Sequence, residues 1–140
     1  MRRCLRHLAG TTKHFWDGGN IAVEKTGSTV TEYHRGLTLI YYKQGDTVRY
    51  YLFNGHGDVV KLTNDTGVVV KTYVYDAFGE EQDIIDSDSN HFRYCGEYYD
   101  KETKTLYLRA RYYSSSTGRF TQEDPIRSGL NWYIWYEIHT

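Results

Sequence analysis

Apolar and polar residues alternate along this chain with a period of two, over short stretches broken by glycine, asparagine and aspartate. That is the pattern of antiparallel β-hairpins. A motif recurs within it. Gly-x-x-Val stands at Gly27/Val30, Gly45/Val48, Gly57/Val60 and Gly67/Val70. A tyrosine follows three positions after the valine at Tyr33, Tyr51 and Tyr73, with Thr63 in the remaining copy. The spacing predicts a turn opened by glycine, then a strand whose alternate side chains share a face. In the last copy Val70, Thr72 and Val74 would point one way, and Val69, Lys71, Tyr73 and Tyr75 the other. Each hairpin is expected to bury one face of alternating Val, Leu and Tyr.

The turns carry matching chemistry. Asp17-Gly18-Gly19-Asn20, Asn54-Gly55-His56-Gly57, Asn64-Asp65-Thr66-Gly67 and Asp76-Ala77-Phe78-Gly79 separate the β-prone stretches. These residue types tolerate the positive φ of hairpin turns. The copies start 18, 12 and 10 residues apart, too close for the crossovers that parallel strands need. The longest alternating stretch, Leu106 to Tyr113, predicts one strand. Leu106, Leu108, Ala110 and Tyr112 would form one face, and Tyr107, Arg109, Arg111 and Tyr113 the other. The second face reads as arginine stacked on neighbouring rings at a solvated surface. A helical period fits only the first dozen residues. The expected fold is all-β: antiparallel hairpin repeats forming part of a curved β-shell, with little helix.

Composition sharpens this picture. Tyrosine supplies 15 of the 140 residues, against 5 Phe and 3 Trp, and a large ring with a polar tip suits half-buried strands. Thirteen glycines and a single proline fit tight turns better than a disordered tail. A net charge of −1, from 17 basic and 18 acidic side chains, lacks the basic excess of non-specific nucleic-acid binding. No apolar run reaches the ~18–20 residues of a membrane-spanning helix. Met1 to His7 is basic but is not followed by an apolar run of signal-peptide length. The chain expressed alone is therefore expected to be cytoplasmic, and any secreted or cell-envelope location would belong to a larger parent.

Two segments, Tyr51 to Val60 and Thr72 to Gly79, resemble the Rhs/YD-repeat consensus, the second through Tyr73-Val74-Tyr75-Asp76-Ala77-Phe78-Gly79. Phe92 to Asp100, Leu106 to Tyr113, Thr117 to Phe120, Glu123-Asp124-Pro125 and Gly129 to Tyr133 are similar to the Rhs repeat-associated core segment. The resemblance divides the chain into a poorly matched stretch 1–13, YD-type repeats 14–90, a core segment 91–134 and a divergent tail 135–140. It implies a hollow shell of YD strands, enclosing a toxic C-terminal domain before delivery to a competitor or host. The core segment would plug one end and can act as an aspartyl autoprotease. The implied partners are the remainder of the shell and the encapsulated toxin domain, with self-association through sheet edges when the chain stands alone. Departures are visible. Ser114-Ser115 replace a frequent Asp-Pro, and Lys104 stands where a turn glycine is common.

Candidate chemistry is sparse. Asp124, before the only proline, matches the family's first Asp-Pro motif. Aspartyl catalysis needs two carboxylates sharing a site, and the second Asp-Pro motif is absent, so Asp124 reads as a turn residue. Cys4-x-x-His7 and His91-x-x-x-Cys95 would together supply four zinc-type ligands. The pairing is long-range, and the family often has a small residue at Cys95, which implies packing. Ser114, Ser115 and Ser116 lack a nucleophile elbow, and a turn explains Gly55-His56-Gly57-Asp58. No metal, cofactor or catalytic centre is expected. The leading reading is a non-enzymatic structural segment. Two alternatives stay open: a carbohydrate or cell-surface binding module using Tyr107, Tyr113, Trp132 and Trp135, and a remnant autoprotease core.

Overall fold

The computed structural model describes residues 3–7, 10–85, 87–108 and 111–122 of the chain. Eight strands run in sequence order through one antiparallel sheet: β1 (Arg3–His7), β2 (Gly10–Asp17), β3 (Asn20–Thr26), β4 (Thr29–Arg35), β5 (Leu39–Gln44), β6 (Thr47–Phe53), β7 (Val59–Thr63) and β8 (Val69–Thr72). A second sheet holds β9 (Tyr98–Asp100), β10 (Thr105–Leu108), β11 (Arg111–Ser114) and β12 (Arg119–Phe120), again each beside its sequence neighbour. The only helix among the described residues is a three-residue 3-10 turn, Tyr94–Gly96. The all-β hairpin expectation holds. The residues form two compact units: one reaches Phe53 and takes in Val60–Thr72, and the other holds Asn54–Val59 and the residues from Tyr73 onward.

In the first unit the abundance of tyrosine has a geometric reason. Register pairs Tyr33 with Tyr42, His34 with Tyr41, and Tyr41 with Tyr50. Because side chains alternate across a strand, two ladders of rings form. Tyr33, Tyr42 and Tyr51 are buried, with successive centroids 6.3 and 5.8 Å apart. His34, Tyr41 and Tyr50 stand at 4.4 and 5.4 Å and are more exposed. Cross-strand aromatic pairs of this kind contribute about 0.2–1 kcal/mol each. A polar row is buried as well. Thr12 Oγ1 lies 2.8 Å from Thr26 Oγ1, Tyr33 donates its hydroxyl to Glu24 at 3.0 Å, and His14 sits opposite Glu24.

Three loops repeat one hydrogen-bond diagram, opening at Asn54, Asn64 and Asp76. In each, the side-chain oxygen accepts from the backbone N–H two and four residues on: His56 and Asp58, Thr66 and Val68, Phe78 and Glu80. The opening N–H donates to the carbonyl four residues on, and the N–H of Gly57, Gly67 or Gly79 donates back to the opening carbonyl. This Asx closure is local chemistry. At Gly79 φ is +83°, and a Cβ would overlap the Tyr94 ring, so only glycine fits.

The structure corrects two expectations. Leu106 to Tyr113 is not one strand: β10 and β11 pair antiparallel, with Leu108 opposite Arg111. Leu106 and Tyr113, assigned to opposite faces, are therefore partners, both buried at 2% and 3% exposure. No glycine or asparagine stands between Leu106 and Tyr113 to mark a break. Secondly, the described residues among the first dozen are strand, in Arg3–His7 and the start of Gly10–Asp17. Arg3–His7 pairs residue for residue with β2, and an isolated helix of that length is marginal in water. The motif valines and tyrosines lie on opposite faces, as the spacing expected for Val70 and Tyr73. Val30 and Val70 are exposed, while Tyr33, Tyr51, Tyr73 and Thr63 are buried. Residues three apart on a strand lie on opposite faces, so burial of the tyrosine turns the valine outward.

Candidate functional site

Two constellations of polar side chains occur in the second unit. The first is built around Arg93, 2% exposed, which precedes the 3-10 turn. Its Nη1 donates to Glu81 Oε2 at 2.5 Å, its Nη2 lies 3.6 Å from Asp88 Oδ2, and its Nε and Nη2 donate to the Asn90 carbonyl at 3.2 and 3.1 Å. The guanidinium faces the Tyr73 and Tyr99 rings at 5.6 and 5.1 Å. Only arginine presents a planar fork that can meet a carboxylate, a carbonyl and two rings together. Tyr73 completes the network, donating to Asp88 at 2.5 Å and accepting from Asn90 Nδ2 at 3.1 Å. Burial, and then the hydrogen bond to Asp88, push the Tyr73 hydroxyl well above the ordinary phenol range. Burial, and then Glu81, do the same to Tyr75. These phenols keep their protons and donate, Tyr75 to the Val59 carbonyl at 2.6 Å. The arrangement is a staple: each polar group is spent on a protein partner.

The second constellation joins the Asn54 loop to the 3-10 turn. Asp58, 6% exposed, receives the Cys95 backbone N–H at 2.8 Å and the Asn54 Nδ2 at 2.9 Å. His56 Nδ1 lies 2.7 Å from Asp58 Oδ1, and its ring packs on Tyr94 with centroids 5.5 Å apart. Cys95 is a half-buried thiol whose backbone has φ +56°. Donor atoms of His56, Asp58 and Cys95 all lie within 4.8 Å of one another. A thiol, an imidazole and a carboxylate at this separation can bind a cation.

The sequence-derived candidates fall elsewhere or apart. Asp124, Trp132, Trp135 and Arg109 lie outside the described residues, as do the side chains of Cys4 and His7. His91 does not join Cys95 in a ligand group. Its ring stacks on Tyr98 at 5.0 Å, and its Nδ1 is 3.4 Å from the Tyr99 carbonyl. Tyr113 is buried and donates its hydroxyl to the Phe78 carbonyl at 2.9 Å, while Tyr107 is half-buried. Arg111 stacks over the Phe120 ring at 3.5 Å, the ring stacking expected of that strand, on Phe rather than Tyr. Sequence reading missed the meeting of His56, Asp58 and Cys95. Thirty-seven residues separate Asp58 from Cys95, and no ligand spacing advertises it.

Comparison with known proteins places the fold. The family model described as Teneurin YD-shell matches residues 23–131. The tRNA3(Ser)-specific nuclease WapA of Bacillus spizizenii is 35% identical over 124 residues, covering 81% of this chain and 5% of that protein. The tRNA(Glu)-specific nuclease WapA of Bacillus subtilis subsp. natto is 43% identical over 79 residues, covering 54% and 3%. This chain thus spans a small fraction of those relatives. Among solved structures, TcdB2-TccC3 without its hypervariable C-terminal region superposes with a TM-score of 0.72 at 17% identity, over 96% of this chain and 8% of that one. TcdB2-TccC3 itself gives 0.65 over 95% of this chain and 7% of that one. Those structural likenesses speak to fold alone.

Proposed function

The chain belongs to the Teneurin YD-shell family, within the Rhs/YD-repeat group, and from that premise we propose that it is a wall segment of a larger shell that encloses a toxic C-terminal domain. In this reading residues 14–90 are YD repeats and 91–134 the associated core segment, the parent is secreted or held in the cell envelope, and the segment has no reaction of its own. One observation carries the reading. The Asx loop drawn three times and the buried Arg93 network spend their polar groups on partners within the protein. Such residues build a wall. Tyr113, one ring of the glycan-module alternative, is buried and does not support that reading. The nuclease named in the relatives would reside elsewhere in their length, of which this chain matches 5% or less.

A graft tests this. The matching segment of the Bacillus spizizenii relative is replaced by this chain, and the C-terminal region is probed by limited proteolysis. The reading expects protection equal to that of the parent. Rapid digestion of that region, in a chimaera whose other strands remain folded, overturns it. Purified chain incubated with tRNA is expected to leave the tRNA intact.

A further inference from the structure

We propose that His56, Asp58 and Cys95 form a binding site for a divalent transition-metal ion of the zinc class. The inference is independent of the shell reading. Zinc takes sulfur, nitrogen and oxygen donors at about 2.0–2.3 Å in a tetrahedron, which sets donors roughly 3.5 Å apart. The three donors already lie within 4.8 Å of one another, so small side-chain rotations close the set. Thiolate with imidazole selects zinc-class ions over magnesium or calcium, which take oxygen. Three protein donors leave a fourth position for water or another ligand.

The chain contains its own control. The Asn64 and Asp76 loops repeat the Asn54 loop bond for bond, yet carry Thr66 and Val68, or Phe78 and Glu80, where the first carries His56 and Asp58. The Asn64 loop closes with neither an imidazole nor a carboxylate at those positions, and the Asp76 loop closes without an imidazole. Local folding does not require the pair; its placement against Cys95 is what distinguishes this copy. The surroundings suit a metal. Asn54 Nδ2 orients the carboxylate at 2.9 Å, and Tyr94 backs the imidazole, the kind of outer contacts that fix ligands in metal sites. His56 is 25% exposed at its side chain, which opens a path from solvent. On binding, a sulfur–metal bond forms and the thiol proton leaves to solvent.

The test uses the full chain carrying Cys4→Ser, so that Cys95 is its only thiol. Cobalt(II) is the probe. The expected result is one cobalt per chain with a thiolate-to-cobalt charge-transfer band, displaced by zinc, and zinc slowing alkylation of Cys95 by iodoacetamide about tenfold or more. His56→Asn is expected to weaken zinc binding by about 10–100-fold, and Cys95→Ala to abolish the band, each with an unchanged circular dichroism spectrum. The alkylation measurement stands even where a variant fails to fold. The proposal is overturned if the folded chain takes up no metal, if cobalt binds without the band, or if zinc leaves the alkylation rate unchanged.

Discussion

Arg93 sits between two carboxylates, a carbonyl and two rings at 2% exposure. Removing it leaves Glu81 and Asp88 as uncompensated buried acids, which typically costs about 3–5 kcal/mol. Arg93→Ala should lower the stability of the chain by that amount in urea titration. Arg93→Lys should recover little, because an ammonium cannot span the same partners. Lys104 offers the reverse case. Its φ is +54°, a left-handed conformation that costs a residue with a Cβ about 1–2 kcal/mol. Lys104→Gly should therefore raise stability by about 0.5–1 kcal/mol, after the extra freedom glycine adds to the unfolded chain is subtracted. An unchanged melting midpoint would show that the turn relaxes instead. The sequence showed a lysine where a glycine is usual, and the backbone shows the consequence.

At the scale of elements, the loops are the most local feature and the most legible. Asn or Asp followed by glycine three positions later announced each of them, because one side chain and one glycine close the turn with no help from afar. Asn64→Ala removes the acceptor of the Thr66 and Val68 N–H groups. It should cost about 1–2 kcal/mol, while Asp65→Ala, beside it and exposed, should be nearly neutral; chemical denaturation of both separates loop closure from general surface change. Strand faces were harder to read. The Gly-x-x-Val-x-x-Tyr spacing places valine and tyrosine on opposite faces by parity alone, but which face is buried depends on the neighbouring strands. The β10–β11 hairpin escaped altogether, since unbroken alternation continues through it.

For the molecule as a whole, the buried phenols predict an alkaline limit. Burial raises the ionisation of Tyr73, Tyr75, Tyr99 and Tyr113 above the ordinary value of 10.0. Folded phenols stay protonated where unfolded ones ionise, so their contribution is complete below pH 10 and is lost as pH rises above it. Unfolding free energy should fall as pH rises beyond that point, and Tyr73→Phe with Tyr75→Phe should flatten the fall. The ends of the sheets predict association. Strands β1 and β8 end one sheet and β12 ends the other, whose far strand β9 is bridged to Phe92, and an edge strand offers its unpaired backbone to another chain. Light scattering should show mass rising with concentration. A clean monomer with one sharp, cooperative melt would contradict this.

By itself the sequence determined the fold class, the turns closed by an Asx residue and a glycine, and the family, because each is written in residues close together: period-two alternation, Asx-to-glycine loops, contiguous motifs. Tertiary structure alone decided which face of each strand is buried, that Arg93 gathers Glu81, Asp88 and Asn90, and that Cys95 meets His56 and Asp58 across 37 residues. Such contacts depend on the register of strands far apart in the chain, and nearest-neighbour chemistry carries no record of that register.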